Sequence, residues 1–178
     1  MAGVLVYLVT GPDSPRRRTC LLLWAVAFAI APDLDVVPGL LLAQPALFHQ
    51  GISHSIGFAI AAGLVGAASF RMKGEAALSG FLLAACAYAS HLLLDLFGPD
   101  RRLPYGIPLF WPLSLETYLS PVELLPGMRH AATTDATTLE WLRGIFAWHN
   151  VRALVVEALI LGPCVLLALW LKRMRRPA

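Results

Sequence analysis

Charge is scarce in this sequence: Asp, Glu, Lys and Arg make up 14% of its 178 residues, against about 25% in an ordinary soluble domain. With so little charge and so much apolar content the chain is not intrinsically disordered, and a fully hydrated surface is hard to build from it. Cysteine is nearly absent too. Cys20, Cys86 and Cys164 each sit inside an apolar run with no C-x-x-C pair, which excludes a disulfide-stapled secreted module and leaves the three thiols as small hydrophobes. No internal repeat or low-complexity tract is visible.

Apolar residues supply the rest. They form 58% of the chain, its mean hydropathy is +0.68, and they gather in runs at 19–38, 52–70, 75–97 and 151–171. A membrane-spanning helix needs about 20 such residues. The expected fold is therefore an all-α integral membrane helical bundle with about four full spans, one membrane-embedded domain over residues 1–178. The shorter run AGVLVYLVT at 2–10 reads as a helix entered midway, a truncated N-terminal apolar segment with an upstream piece missing. Arg16, Arg17 and Arg18 ahead of a run ending Ala29-Ile30-Ala31 imitate a signal peptide. Pro32 directly after that point, and the apolar stretch before the arginines, argue against cleavage.

The net charge of +3 and pI near 9.0 invite a nucleic-acid partner. The cations instead flank apolar runs without forming a basic face, so topology explains them better and no nucleic acid is expected. Arg16, Arg17, Arg18, Arg71, Lys73, Lys172, Arg173, Arg175 and Arg176 fall on one side of the bundle; Arg101, Arg102, Arg129, Arg143 and Arg152 fall on the other. The richer side is expected to be cytoplasmic, which puts the long connection 98–150 and its six prolines outside. Within it, the Thr137-x-x-Glu140 capping box predicts a short interfacial helix carrying Trp141 and Trp148 on one face.

Against this apolar background a few polar residues stand out. Asp33 and Asp35 close the first full span, His49 and His54 flank the entry to the second, and His91 and Asp95 lie in the last two turns of the third. All six fall at the same, non-cytoplasmic end, although the spans alternate in direction. Ionisable groups at the hydrocarbon edge are costly unless paired or metal-bound. His91 and Asp95 are four apart and share a helix face; Asp33 and Asp35 follow Pro32 at alternate positions, as a helix end would present them; His49 and His54 flank Gly51, which permits a tight turn.

Singly, each group has a plainer reading: His54 as an interfacial polar residue, PDLD as a cap or turn, HLLLD as an intrahelical hydrogen bond. Together they favour a site. Histidine with carboxylate and no thiolate is the ligand set of catalytic zinc, manganese or iron. Six groups exceed the needs of one ion, so a site of more than one ion is open, and Asp33 or Asp35 could instead serve as a catalytic general base. His149 and Glu157 form a second tier on the same side, Glu116 and Glu123 a weaker one, and Trp111 and Pro112 read as a wall or interfacial anchor.

The blocks APDLD at 31–35, HQGISHS at 49–55, and SHLLLDLFGPD with GIPLFWPLS at 90–114 resemble, in order and spacing, the YdjM-like family of predicted inner-membrane metal-dependent hydrolases. The resemblance implies metal binding through Asp33, Asp35, His49, His54, His91 and Asp95. Gln50 stands where that family usually has Arg and Ser53 where it has Thr, and the family's histidine ahead of the first apolar segment has no counterpart. A more distant similarity to zinc-dependent phospholipase C and P1-type nucleases implies a phosphoester substrate. The expected function is a membrane-bound hydrolase of a membrane-associated phosphoester, with a divalent metal cofactor, the lipid bilayer as partner, and its site on the extracytoplasmic side of the inner membrane. Transport of protons or a divalent ion through the same cluster is the rival. Transporters bind near the midplane between repeated halves, and neither feature is present. A scaffold whose polar cluster only ties helices together is the second rival; it would hold no metal.

Overall fold

A computed structural model describes residues 15–100, 103–128 and 137–174, and within these every regular element is helical. The elements are α1 (Pro15–Ile30), a 3₁₀ segment (Ala31–Asp35), α2 (Val36–Leu41), α3 (Ile56–Met72), α4 (Ala77–Leu96), α5 (Thr138–Ile145) and α6 (Trp148–Met174). The expected N-terminal segment 2–10 lies outside the described residues.

PDLD does not end a helix. The chain runs helically from Arg16 to Leu41, 26 residues, and APDLD is a tightened 3₁₀ stretch within it. Pro32 lacks the N–H that would bond back to the preceding turn, which accounts for the local departure from α geometry.

Four spans were expected, and fewer are found. Arg16–Leu41 and Ala77–Leu96 are long and apolar enough to cross a membrane, with mean hydropathies of 2.0 and 1.7. A third span arises only if α5 and Trp148–Pro163, bent by 44°, are counted as one. Helix α3 has 17 residues, about 25 Å, short of the roughly 30 Å hydrocarbon core. It is short because His54 and Ser55 stay in the loop before it and the chain turns at Gly74, φ +72°. The bend also separates the two tryptophans: Trp141 is buried on α5, whereas Trp148 is exposed and opens α6. The predicted capping box is present, with the Thr137 hydroxyl accepting from Glu140 N–H and the Glu140 carboxylate accepting from Thr137 N–H.

The described chain groups into two compact units. The first takes α1 through Ala31, residues 59–90 and the chain from Ala158. Its core is Leu21, Ala25, Phe70, Leu83 and Ala87, with Trp24, Phe28 and Ala29 packed against it. Helices α3 and α4 approach backbone to backbone where Gly66 and Gly80 meet: a Cβ on either would strike the carbonyl of the other. Other large side chains point away, with Leu23, Leu64 and Leu78 exposed. Small residues at the helix contact with leucines on the outer faces is the arrangement expected of helices packing in lipid. At one end Arg17 pairs with Glu75 at 2.9 Å and the Lys73 ammonium lies over the Trp24 ring.

The second unit, residues 32–58 and 91–157, is built largely from loops. Its order comes from satisfied backbone. Ile107 and Tyr118 exchange both hydrogen bonds in an isolated antiparallel bridge, which Gly106 permits by its φ of +86° beside the Tyr118 carbonyl. The first N–H groups of α3 find partners in the same loop: Ile56 N–H donates to the Leu109 carbonyl at 2.8 Å and Gly57 N–H to that of Trp111 at 3.2 Å. Phe58 N–H donates to Ser55 Oγ at 3.3 Å, and the Phe58 ring tilts against Trp111.

Candidate metal centre

Each histidine and aspartate of the centre is set by a local device. The 3₁₀ segment carries Asp33 and Asp35. The loop before α3 holds His49 and His54 through two successive turns, Gly51 N–H to the Phe48 carbonyl and His54 N–H to that of Gly51. The left-handed residue there is Gln50, φ +59°, and not the expected Gly51; Gly51 is needed because a Cβ would press on the Phe48 carbonyl at 2.8 Å. The bonds from α3 to Leu109 and Trp111 fix the far end of that loop, which gives the GIPLFWPLS block a positioning role. The last turns of α4 present His91 and Asp95 on one face.

All six residues lie in one cluster within the second unit. Four atoms define its centre: Asp33 Oδ1, His54 Nε2, His91 Nε2 and Asp95 Oδ2. His54 Nε2 lies 3.6 Å from Asp33 Oδ1 and 3.3 Å from Asp95 Oδ2; His91 Nε2 lies 3.3 Å from both carboxylates. An ion with bonds of about 2.0–2.1 Å in tetrahedral array holds neighbouring donors roughly 3.3–3.4 Å apart. Three of these atoms, His54 Nε2, His91 Nε2 and Asp95 Oδ2, are buried without a hydrogen-bond partner. Buried polar atoms are normally satisfied, and orphans call for a bound ion or another specific cause. The three orphaned donors thus fit a divalent cation in type, spacing and lack of other partners, with Asp33 Oδ1 at the exposed edge of the centre.

Asp35 and His49 occupy the other side of the cluster. Asp35 Oδ2 accepts from Ser53 Oγ at 2.8 Å and faces His54 Nδ1 at 3.2 Å; Asp35 Oδ1 faces His49 Nδ1 at 3.2 Å. Ser53 Oγ also lies 3.1 Å from His54 Nδ1. His49 Nδ1 stands 3.8 Å from Asp33 Oδ1, and Asp33, His49 and His54 form a second grouping able to hold an ion. Both groupings draw on His54. Exposure separates the carboxylates: the Asp33 side chain is 46% exposed, that of Asp35 9%.

The second-tier residues divide. Glu157 lies near enough to Asp95 for their charges to repel. The His149 ring instead faces the Gly127 carbonyl at 3.3 Å, while Glu116 is exposed and accepts from the Tyr118 hydroxyl. Glu123 is exposed. Ser53 is the member that sequence reasoning missed. Its signal was available, a hydroxyl beside a histidine in a block with two imidazoles, but only the folded loop turns it toward Asp35.

Helices long and apolar enough to cross a bilayer, with histidine and aspartate gathered at buried, unsatisfied positions, define a helical membrane protein with a potential metal centre. The chain matches the family model of the YdjM inner membrane protein over residues 1–175. It belongs to that family. No curated protein and no solved structure matches it.

Proposed function

We propose that this protein is a membrane-bound, metal-dependent hydrolase acting on a phosphoester carried by a lipid or another membrane-associated molecule. The observation that carries the reading is the set of orphaned atoms, His54 Nε2, His91 Nε2 and Asp95 Oδ2. Two histidines and one carboxylate are a ligand set used in hydrolytic zinc sites, which keep one position open. A divalent cation in that set, zinc by donor chemistry with manganese or iron as alternatives, supplies polarisation of a phosphoryl oxygen and a lowered pKa for bound water. Asp33 is the exposed corner of the four-atom centre, so its carboxylate is the one placed to take a proton from water as that water attacks. One ion per chain is the expected load, because both groupings need His54 and its Nδ1 already faces Asp35.

The bias of lysine and arginine supports placing the cluster on the extracytoplasmic side. Labelling of a cysteine at position 130 in preference to one at 176 from outside the cell agrees with that placement; the reverse moves the site to the cytoplasmic face. The functional test is elemental analysis of detergent-purified protein beside Asp95→Ala, followed by assay on phospholipid, isoprenoid-phosphate and nucleotide substrates with and without chelator. Bound metal in wild type, lost in the variant, with chelator-sensitive phosphate release, is the expected result. No metal in wild type removes the reading. Stable bound metal without hydrolysis of any of these esters removes the hydrolase and turns attention to ion transport.

A further inference from the structure

The geometry points to Asp35 as a positioning residue that clamps two imidazoles, in place of the metal-ligand role its motif suggests. The inference rests on the metal-centre reading above and deepens it.

Both oxygens of Asp35 have polar partners. Oδ2 takes the Ser53 hydroxyl at 2.8 Å and faces His54 Nδ1 at 3.2 Å, and Oδ1 faces His49 Nδ1 at 3.2 Å. The side chain is almost closed to solvent. It is absent from both groupings able to hold an ion, and neither oxygen is among the orphaned atoms.

A carboxylate beside Nδ1 of an imidazole favours the tautomer with the proton on Nδ1 and the lone pair on Nε2. For His54 that lone pair then faces Asp33 Oδ1 at 3.6 Å and Asp95 Oδ2 at 3.3 Å. In that tautomer the His54 lone pair, Asp33 Oδ1 and Asp95 Oδ2 converge on one point, and a cation there would engage all three, including the unsatisfied His54 Nε2. The Ser53 hydroxyl, within reach of both Asp35 and His54 Nδ1, keeps the carboxylate and the ring in register. One residue therefore fixes the direction of a ligand contributed by a loop, where the helix-borne pair His91 and Asp95 is held by backbone geometry.

The test compares metal stoichiometry, affinity by chelator competition and the visible spectrum of the cobalt(II)-loaded protein for wild type, Asp95→Ala, Asp35→Asn and Ser53→Ala. Asp95→Ala is expected to lose the metal. Asp35→Asn is expected to keep the wild-type stoichiometry and cobalt spectrum while affinity falls about 10- to 100-fold, the usual cost of losing an outer-sphere partner. Ser53→Ala, which removes a single hydroxyl and is the milder change for folding, is expected to lower affinity by a smaller factor in the same direction. If Asp35→Asn empties the site or changes the cobalt spectrum as a lost ligand would, Asp35 is a ligand and the inference falls. If Ser53→Ala and Asp35→Asn both leave affinity unchanged, the clamp has no role. If wild type itself holds no metal, the failure belongs to the metal centre and not to the assignment of Asp35.

Discussion

The two units solve opposite problems with the same apolar alphabet. In the first, close contact is made by removing side chains: Gly66 meets Gly80, Ala25 and Ala87 share the core with Leu21, Leu83 and Phe70, and other leucines are turned outward. In the second, loops carry the burden, and order is achieved by pairing polar groups, from the Ile107–Tyr118 bridge to the Asp35 clamp. The first unit should therefore be sensitive to added volume and indifferent to metal. The second should show the reverse.

The largest test of that contrast is removal of a ligand. His91→Ala or Asp95→Ala is expected to reduce bound metal to background and abolish metal-dependent hydrolysis, with membrane insertion retained because the hydrophobic length of α4 is unchanged. Elemental analysis and membrane fractionation check both halves. Next, Asp33→Asn should retain metal yet lower turnover by on the order of 10²- to 10⁴-fold, the range for a lost general base; a variant that loses metal instead would make Asp33 a ligand. Gly66→Leu probes the first unit. Overpacking there should cost about 1–3 kcal/mol or more, seen as a lower melting temperature in detergent, while the metal content of the folded fraction stays at the wild-type level. A parallel loss of metal would show that the two units do not behave separately. The smallest effect belongs to Arg17→Ala, which removes a part-exposed ion pair and should change stability by less than about 1 kcal/mol.

The candidate site was largely legible in the sequence because the bilayer makes polarity conspicuous. In an apolar chain each of His54, His91 and Asp95 needs a reason, and their spacing already put them at one end. Roles within the cluster were not legible. Asp33 and Asp35 look equivalent in PDLD, and only the 3₁₀ geometry gives one an exposed corner and the other two imidazoles. The span count failed for a related reason. Hydropathy reads 52–70 as continuous, yet His54 and Ser55 are drawn into the loop, and the seven-residue spacing of Trp141 and Trp148 runs across a bend that periodicity does not register. The capping box at Thr137 was readable because it is a local device, complete within four residues.

The start of α3 also bears on how a substrate would be recognised. A helix N-terminus commonly offers its open N–H groups to phosphate, but here Ile56, Gly57 and Phe58 have already given theirs to Leu109, Trp111 and Ser55. Nearby, the carboxylates of Asp33, Asp35 and Asp95 are interleaved with the imidazoles of His49, His54 and His91. If the substrate is the phosphoester proposed above, the start of α3 offers it no open amide, and a cation held by the cluster is the group that would draw its phosphate to this end of the chain as well as assist its cleavage.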